Sequence, residues 1–300
     1  MMPIIRRIIY SPAINYVLRN ILKPFRFCLP ASCRIPVSGT IKIKLKGDQF
    51  ILMTTNQTNY LTKKVFWGGI EDYEYPTVSV FLELIQDMNC FMDIGANIGY
   101  YSLMAARLNP RITVHAFEPL PSAFLFLQKN IELNQLNNIT AYRLALSDRA
   151  GEAEFFATKM AKAMYLEHHI SGTSNLARAK DSFSEAIKVN TQTLDSFVKD
   201  YSIRAVDLLK LDTEGTENLI LNGGRELIAE KKPIIISEIL PGKIENELDE
   251  FYRENNYLYY AAKPEGLIAV DSLSGYSNAK EDFFFIHRSQ KSRLNPFIKD

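Results

Sequence analysis

Apolar residues fall into two kinds of spacing along this chain, and the change between them outlines a fold. From Cys90 onward, short runs rich in β-branched and aromatic residues recur: CFMDIGA, ITVHAFEP, ITAYRLALS, VDLLKLD, PIIISEIL, YLYYAAK and DFFFIHR. Each has the length of a strand, and apolar residues on both faces suit a strand buried between two layers. Most are separated by stretches with helical periodicity, at 100–108, 122–133, 216–229 and 243–255. This alternation predicts an α/β fold with a mostly parallel, Rossmann-like sheet. DFFFIHR follows YLYYAAK through a Gly/Ser-containing loop without helical pattern, so these two runs are expected to pair antiparallel, as the last strand of the sheet.

Upstream the periods differ. Ser11 and Pro12 stand where an N-cap and a first helical residue belong. Ile14, Val17, Leu18, Ile21, Leu22 and Phe25 then recur at helical spacing, with Pro24 and Pro30 ending the pattern. This predicts an amphipathic helix docked on the protein's own body, on a second copy, or on an anionic membrane surface. GTIKIKLKGDQFILMTT alternates around Lys46-Gly47-Asp48-Gln49 and predicts a β-hairpin. A helix is expected over 76–88, with Val80, Leu84 and Ile85 inward. The chain thus divides into a basic amphipathic extension (1–38), a hairpin and linker packed on the core (39–75), a main domain (76–290) and a C-terminal tail (291–300). A polar insert at 158–188, containing SGTSNL, is expected to be a surface loop or lid.

Charge alters this picture in one place. A net charge of +1 over 300 residues excludes no class of protein but offers nothing to attract nucleic acid. Residues 1–47, however, hold nine Lys/Arg and no acid, the first being Asp48, which leaves the remainder net acidic. Cys28, Cys33 and Cys90 form no C-x-x-C pair, which predicts a reduced, cytoplasmic protein. No run has the length of a membrane span. The first residues are broken by charges and prolines too often for a signal peptide, so any membrane contact is expected to be peripheral, through the basic helix.

The candidate chemistry begins at Asp93. In an open α/β sheet, ligands settle outside the carboxyl ends of the strands, and DIGANIG follows the first strand there. A dinucleotide loop would read G-x-G-x-x-G and hold pyrophosphate on helix N–H groups. Here the pattern is D-x-G-x-N-x-G, with Asp93 before Gly95, Asn97 and Gly99. A carboxylate repels phosphate and suits a ligand with a cationic part, such as the sulfonium and ammonium of S-adenosyl-L-methionine. Glu118 closes the second strand, where an acid can accept from both ribose hydroxyls. Asp148, in ALSDRAG, either accepts from an adenine amino group or serves the turn at Gly151.

These blocks, with FMDIGANIGYYS, VHAFEPLPSAFLFLQKNIELNQLNNIT, ALSDRAGEAEFF, SGTSNL, TLDSF and LLKLDTEGTENLILNGGREL in order, resemble the FkbM-type methyltransferases. The likeness runs from about Glu74 to Glu238 and leaves the first 65 residues outside. It implies a class I methyltransferase sheet and S-adenosyl-L-methionine held by Asp93, Gly95, Asn97, Gly99 and Glu118, with Asp148 by the adenine. It also implies transfer of a methyl group to an oxygen of a sugar, glycan or related small metabolite. An amine or protein side chain as acceptor, or a non-catalytic binding protein retaining the pocket, are the alternatives.

Methyl transfer requires alignment of donor and acceptor, and an alcohol also needs a base. No metal is demanded. Asp212 and Glu214, in KLDTEGTE, would end the fourth strand at the ligand edge; Glu217 either joins them or stabilises its helix through the dipole. Lys210 could pair with one of these acids. Glu238 lies in an otherwise apolar strand, where an acid is costly unless paired or facing a cleft, and desolvation there would raise its pKa. His168 and His169 lack neighbours at metal-ligand spacing and are expected to be a surface pair or part of a lid. Trp67, Tyr73 and Tyr75 suit either a sugar-stacking wall or a packed core.

Overall fold

The computed structural model describes residues 7–158, 166, 168–170, 184–240, 242, 244–274 and 281–299. The strands are β1 (Gly39–Lys44), β2 (Phe50–Thr55), β3 (Cys90–Ile94), β4 (Thr113–Phe117), β5 (Ile139–Tyr142), β6 (Ala145–Leu146) and β7 (Gly151–Thr158). They continue with β8 (Ser184–Gln192), β9 (Leu208–Leu211), β10 (Ile234–Ile239), β11 (Tyr257–Lys263), β12 (Gly266–Val270), β13 (Glu281–His287) and β14 (Ile298–Lys299). The helices are α1 (Pro12–Leu22), α2 (Tyr60–Gly68), α3 (Tyr75–Leu84), α4 (Tyr100–Leu108) and α5 (Pro121–Asn134). The remaining ones are α6 (Leu194–Asp200), α7 (Glu217–Asn222), α8 (Arg225–Lys231) and α9 (Glu245–Glu254).

The main sheet runs β14-β12-β11-β13-β10-β9-β3-β4-β5. Strands β10, β9, β3, β4 and β5 are mutually parallel. β13 inserts antiparallel between β10 and β11. The expected antiparallel partnership of the last two aromatic strands is therefore present. Two short strands, β12 and β14, extend the sheet beyond what the loop and tail sequences predicted. The run ITAYRLALS splits: β5 stays in the main sheet, whereas β6 leaves it to pair with β8 in a separate sheet ordered β6-β8-β7.

Successive residues of the central strands bury against opposite layers, as the two-residue side-chain period requires. Phe91, Leu208, Ile234, Ile236 and Phe284 share one core with α3, α4, α5 and the hairpin. Met92, Ile94, Leu209, Leu211, Ile235 and Phe285 share the other with α6 to α9. Val80, Leu84 and Ile85 are buried as expected, although helix α3 ends at Leu84 and a 3-10 turn covers Ile85–Asp87. The helix expected over 216–229 is broken into α7 and α8 by Gly223 and Gly224. A Cβ on Gly223 would lie 2.1 Å from the Ser147 carbonyl oxygen, so the chain must turn there at close quarters.

The hairpin β1–β2 forms around Gly47, whose φ of +64° suits glycine. Its outer edge is sealed by α5. Asn130 and Asn134, one helical turn apart, use their amides like a strand's backbone: they accept from Thr54 N and Leu52 N and donate to Thr54 O and Leu52 O. Asn130 also donates to the carbonyl of Ile98, tying the hairpin to the loop after β3. Helix α1 docks on the body, but through its polar side. Asn15 accepts from Ser38 N and donates to Pro36 O, and the Arg19 guanidinium donates to Ser38 O and Thr40 O.

Of the insert expected over 158–188, its closing residues belong to β8, which pairs with β7; SGTSNL lies outside the described residues.

Candidate active site

The two-residue period that builds the sheet also assembles a polar stripe across it. On the face covered by α3 and α4, the carboxyl ends of β3, β9 and β10 carry Asp93, Lys210 with Asp212, and Glu238, and the amino end of antiparallel β13 sets Asp282 beside them. Asp93 is the register partner of Lys210, and Glu238 that of Asp282. The Lys210 ammonium is fully buried, 3.0 Å from Asp212 Oδ2 and 4.5 Å from the centre of the Tyr101 ring. Burial alone would lower its pKa, but the carboxylates of Asp212, Glu74, Asp282 and Asp93 outweigh that and hold it above the ordinary lysine value.

Beyond Asp93 the chain turns through Gly95 and Asn97, both at positive φ, into α4. Asp93 Oδ2 accepts from Ser102 N (3.0 Å) and Ser102 Oγ (2.6 Å). Burial raises its pKa to about 6, against the opposing pull of Lys210 and Ser102. Glu118, just after β4, accepts from Leu120 N through Oε1 (2.8 Å) and from Asn97 N through Oε2 (2.9 Å). Each oxygen so engaged keeps further acceptor capacity. Burial pushes Glu118 up to about 7, and its two backbone donors only partly offset this.

These groups open on one cavity, whose wall includes Asp93, Gly95, Asn97, Glu118, Asp212 and Glu214. Its apolar side is made by Phe117, Leu144, Leu146 and Phe155. Glu238 is not a wall residue, but its carboxylate comes within 4.8 Å of those of Asp212 and Glu214. Three acids so close favour a shared proton or a cation, and they could offer one oxygen each to a hard divalent ion.

Two expected cofactor residues stand outside the cavity wall. A Cβ on Gly99 (φ +95°) would lie 2.7 Å from Leu127 Cδ1, so this glycine serves the packing of α4 on α5. The Asp148 carboxylate is 41% exposed and lies 4.0 Å from the Arg149 guanidinium. Gly95 lines the cavity and has a further role. Its absent side chain makes room for the Asp212 carbonyl, which a Cβ would approach to 2.0 Å. Glu217 is spent on the turn, where Oε1 accepts from Thr213 N, Thr213 Oγ1 and Gly215 N. His168 is half-buried and His169 is buried, so they are not a surface pair. Their carbonyls accept from Asn56 and Ser122, respectively. Trp67 is core and donates to Ile35 O, Tyr75 is partly exposed, and Tyr73 lines the cavity edge-on to Tyr100.

Sequence reasoning missed a wall contributed from before the sheet: Asn59, Tyr60, Leu61 and Glu74. Asn59 caps α2, accepting from Thr62 N, and donates to Asn97 Oδ1 at 3.0 Å, which links α2 to the turn after β3. The N-cap pattern of Asn59 was readable; its reach to Asn97 was not. Glu74 precedes α3 with φ of +46°, accepts from Tyr101 Oη at 2.9 Å, and is raised to about 7, chiefly by burial and then by Asp282. As one acid among several in EDYEYP it had no distinguishing signal.

The buried acids make stability depend on pH. A glutamate titrates near its ordinary value in the unfolded chain and near 7 at position 118 in the fold. Between those values the folded protein holds the extra proton, so this contribution to stability is lost as pH rises through about 5–7. Buried His115, whose pKa is lowered, has the opposite slope. Comparison with Glu118→Gln isolates the carboxylate. From pH 5.5 to 8, urea unfolding is expected to show the variant gaining about 2 kcal/mol relative to the unsubstituted protein.

The fold is that of a class I methyltransferase domain, with Asp93 near the end of β3 and Glu118 just after β4 on one cavity. A model of the Methyltransferase FkbM domain matches residues 93–260, more than half the chain. Similar proteins include the 31-O-demethyl-FK506 methyltransferase FkbM of Streptomyces tacrolimicus, 31% identical over 151 residues, 44% of this chain and 57% of that one. The 2-O-methyltransferase NoeI of Sinorhizobium fredii is 26% identical over 149 residues, 47% of this chain and 59% of that one. The matched stretches span less than two thirds of either relative. Among solved structures, the methyltransferase FkbM of Methylobacillus flagellatus aligns with a TM-score of 0.43 at 14% identity, covering 66% of this chain and 44% of that one. The chain belongs to the FkbM methyltransferase family.

Proposed function

We propose that this protein is an S-adenosyl-L-methionine-dependent O-methyltransferase acting on a hydroxyl of a sugar, glycan or other small metabolite. The observation that carries the reading is the pair of buried carboxylates, Asp93 and Glu118, opening on the same cavity as Asp212 and Lys210. S-adenosyl-L-methionine would supply a methyl group already activated on a sulfonium. Asp93 and Asn97 would meet its amino-acid end, Glu118 its ribose hydroxyls, and Phe117, Leu144 and Leu146 its flat heterocycle. A cationic ligand suits a cavity rich in acids, and its arrival favours their ionised forms.

The acceptor end of the same cavity holds Asp212 and Glu214, with Glu238 behind them. One of these carboxylates takes the proton of the attacking hydroxyl, while Lys210 keeps Asp212 oriented through their ion pair. Burial of the Lys210 end of the pair strengthens that charge interaction. The names of both relatives specify methylation at an oxygen, which favours an alcohol over an amine.

Calorimetry tests the first half of the reading. The purified chain is expected to bind S-adenosyl-L-methionine with a Kd in the micromolar range, roughly −8 kcal/mol. Asp93→Ala should remove detectable binding, and Glu118→Gln should weaken it by about tenfold or more. An intact, folded chain that takes up no cofactor would end the proposal. Transfer of a labelled methyl to a panel of hydroxylated and amine acceptors tests the second half, and nitrogen-linked product alone would move the activity to another acceptor class.

A further inference from the structure

Helix α1 presents an unusual division of its surface. Its buried residues are polar, Asn15 and Arg19, while Ile14, Val17, Ile21 and Phe25 of the apolar stripe foreseen in the sequence face outward; Leu18 and Leu22 are half-buried, Leu22 against the core. Ile14, Val17 and Ile21 are 41%, 54% and 60% exposed, and Phe25 and Phe27 continue the surface at 60% and 84%. Seven of the eleven exposed large apolar or aromatic side chains among the described residues lie between positions 8 and 27. Scattered exposed apolar residues need no explanation, but a contiguous stripe does.

The charge around this stripe has one sign. No acid precedes Asp48, and Lys23, Arg26 and Arg34 have no carboxylate partner among the described residues. Lys23 stands close enough to Arg26 and Arg19 that these cations, after burial, hold its pKa down. A second copy brought face to face would set these cations against their own image and repel. An anionic surface would neutralise them.

We propose that α1 and the turn through Phe27 form a docking surface for an anionic lipid membrane. The helix lies flat, with Ile14, Val17, Ile21 and Phe25 entering the acyl boundary and Lys23 and Arg26 meeting lipid phosphates. This combination of an apolar face and flanking cations is what interfacial helices require. The Arg19 contacts to Ser38 and Thr40 fix the helix on the body, so the cavity would be carried at a set orientation to the membrane. An enzyme so placed would meet amphiphilic or lipid-linked acceptors.

The test is co-sedimentation of the full chain with phosphatidylcholine vesicles, with or without about one third phosphatidylglycerol. Binding is expected only with the anionic lipid and should be lost at about 1 M salt. Lys23→Gln and Arg26→Gln should each weaken it roughly fivefold, and Val17→Asp with Ile21→Asp should abolish it while leaving the thermal midpoint unchanged. Equal binding to both vesicle types, or to neither, overturns the proposal. So does a lowered midpoint, which would show the stripe packed on this chain, or a dimer in vesicle-free buffer that Ile21→Asp dissolves.

Discussion

Lys210→Met is expected to destabilise the protein by about 3–5 kcal/mol at pH 8 and to lower any methyl-transfer rate by at least about a hundredfold. The methionine nearly matches the lysine's length, so packing is largely kept and the loss is electrostatic. Lys210 Nζ pairs with Asp212 and is the buried cation facing Glu74, Asp93 and Asp282. Removing it leaves those carboxylates desolvated without their counter-charge, which costs more than the pair itself contributes. Their pKa values in the fold then rise further, so the folded variant holds protons over a wider range than the unfolded chain. Its deficit should therefore grow as pH rises from about 5 to 8 and shrink in acid. Urea unfolding at several pH values reads this directly. Unchanged stability at pH 8 would show that Lys210 does not neutralise the stripe.

Gly95→Ala is the second large effect. The backbone there has φ of +87°, and an added Cβ would lie 2.0 Å from the Asp212 carbonyl oxygen and 2.8 Å from its carbon. The obstacle is main chain at the end of β9, not the tip of a side chain that can swing away. Strain at positive φ and overpacking together are expected to cost about 3–5 kcal/mol. The loop would separate from the strand that carries Asp212, so cofactor affinity should fall with stability. Gly47→Ala supplies the comparison. Its φ of +64° is also left-handed, but no atom lies within 4 Å of the added carbon. It should cost only about 1 kcal/mol and leave the site unaffected. Equal losses in the two variants would show that backbone strain alone, and not contact with Asp212, makes Gly95 necessary.

Much of the site was legible because its signals are local. Asp93 and Glu118 each end an apolar run whose period of two predicts where the strand stops, and the strands run parallel, so both acids arrive at the same edge. Asp212, Glu214 and Glu238 were readable for the same reason. Asp148 and Gly99 lie outside the cavity wall, because a motif gives a position along the chain but not the direction of a side chain. The α7–α8 break was hidden because Gly223 answers to Ser147, a residue far away in sequence. Glu74 could not be singled out, since its significance comes from Lys210 and Asp282 on distant strands. Helix α1 is the clearest case. Its periodicity defined an apolar face, yet which face docks was decided by Arg19 finding the carbonyls of Ser38 and Thr40.

By itself, then, the amino-acid order determined the elements, their alternation and the acids at the strand ends, because side-chain period and backbone preference act over a few residues. Only the tertiary structure decided that Asp93, Lys210, Glu238 and Asp282 form one stripe, that Glu74 and Asn59 complete the cavity, and that Ile14, Val17 and Ile21 of α1, with Phe25 after it, face outward. Those outcomes depend on strand register and on partners tens to hundreds of residues apart, and charge and hydrogen-bond energies act through space without regard to that separation.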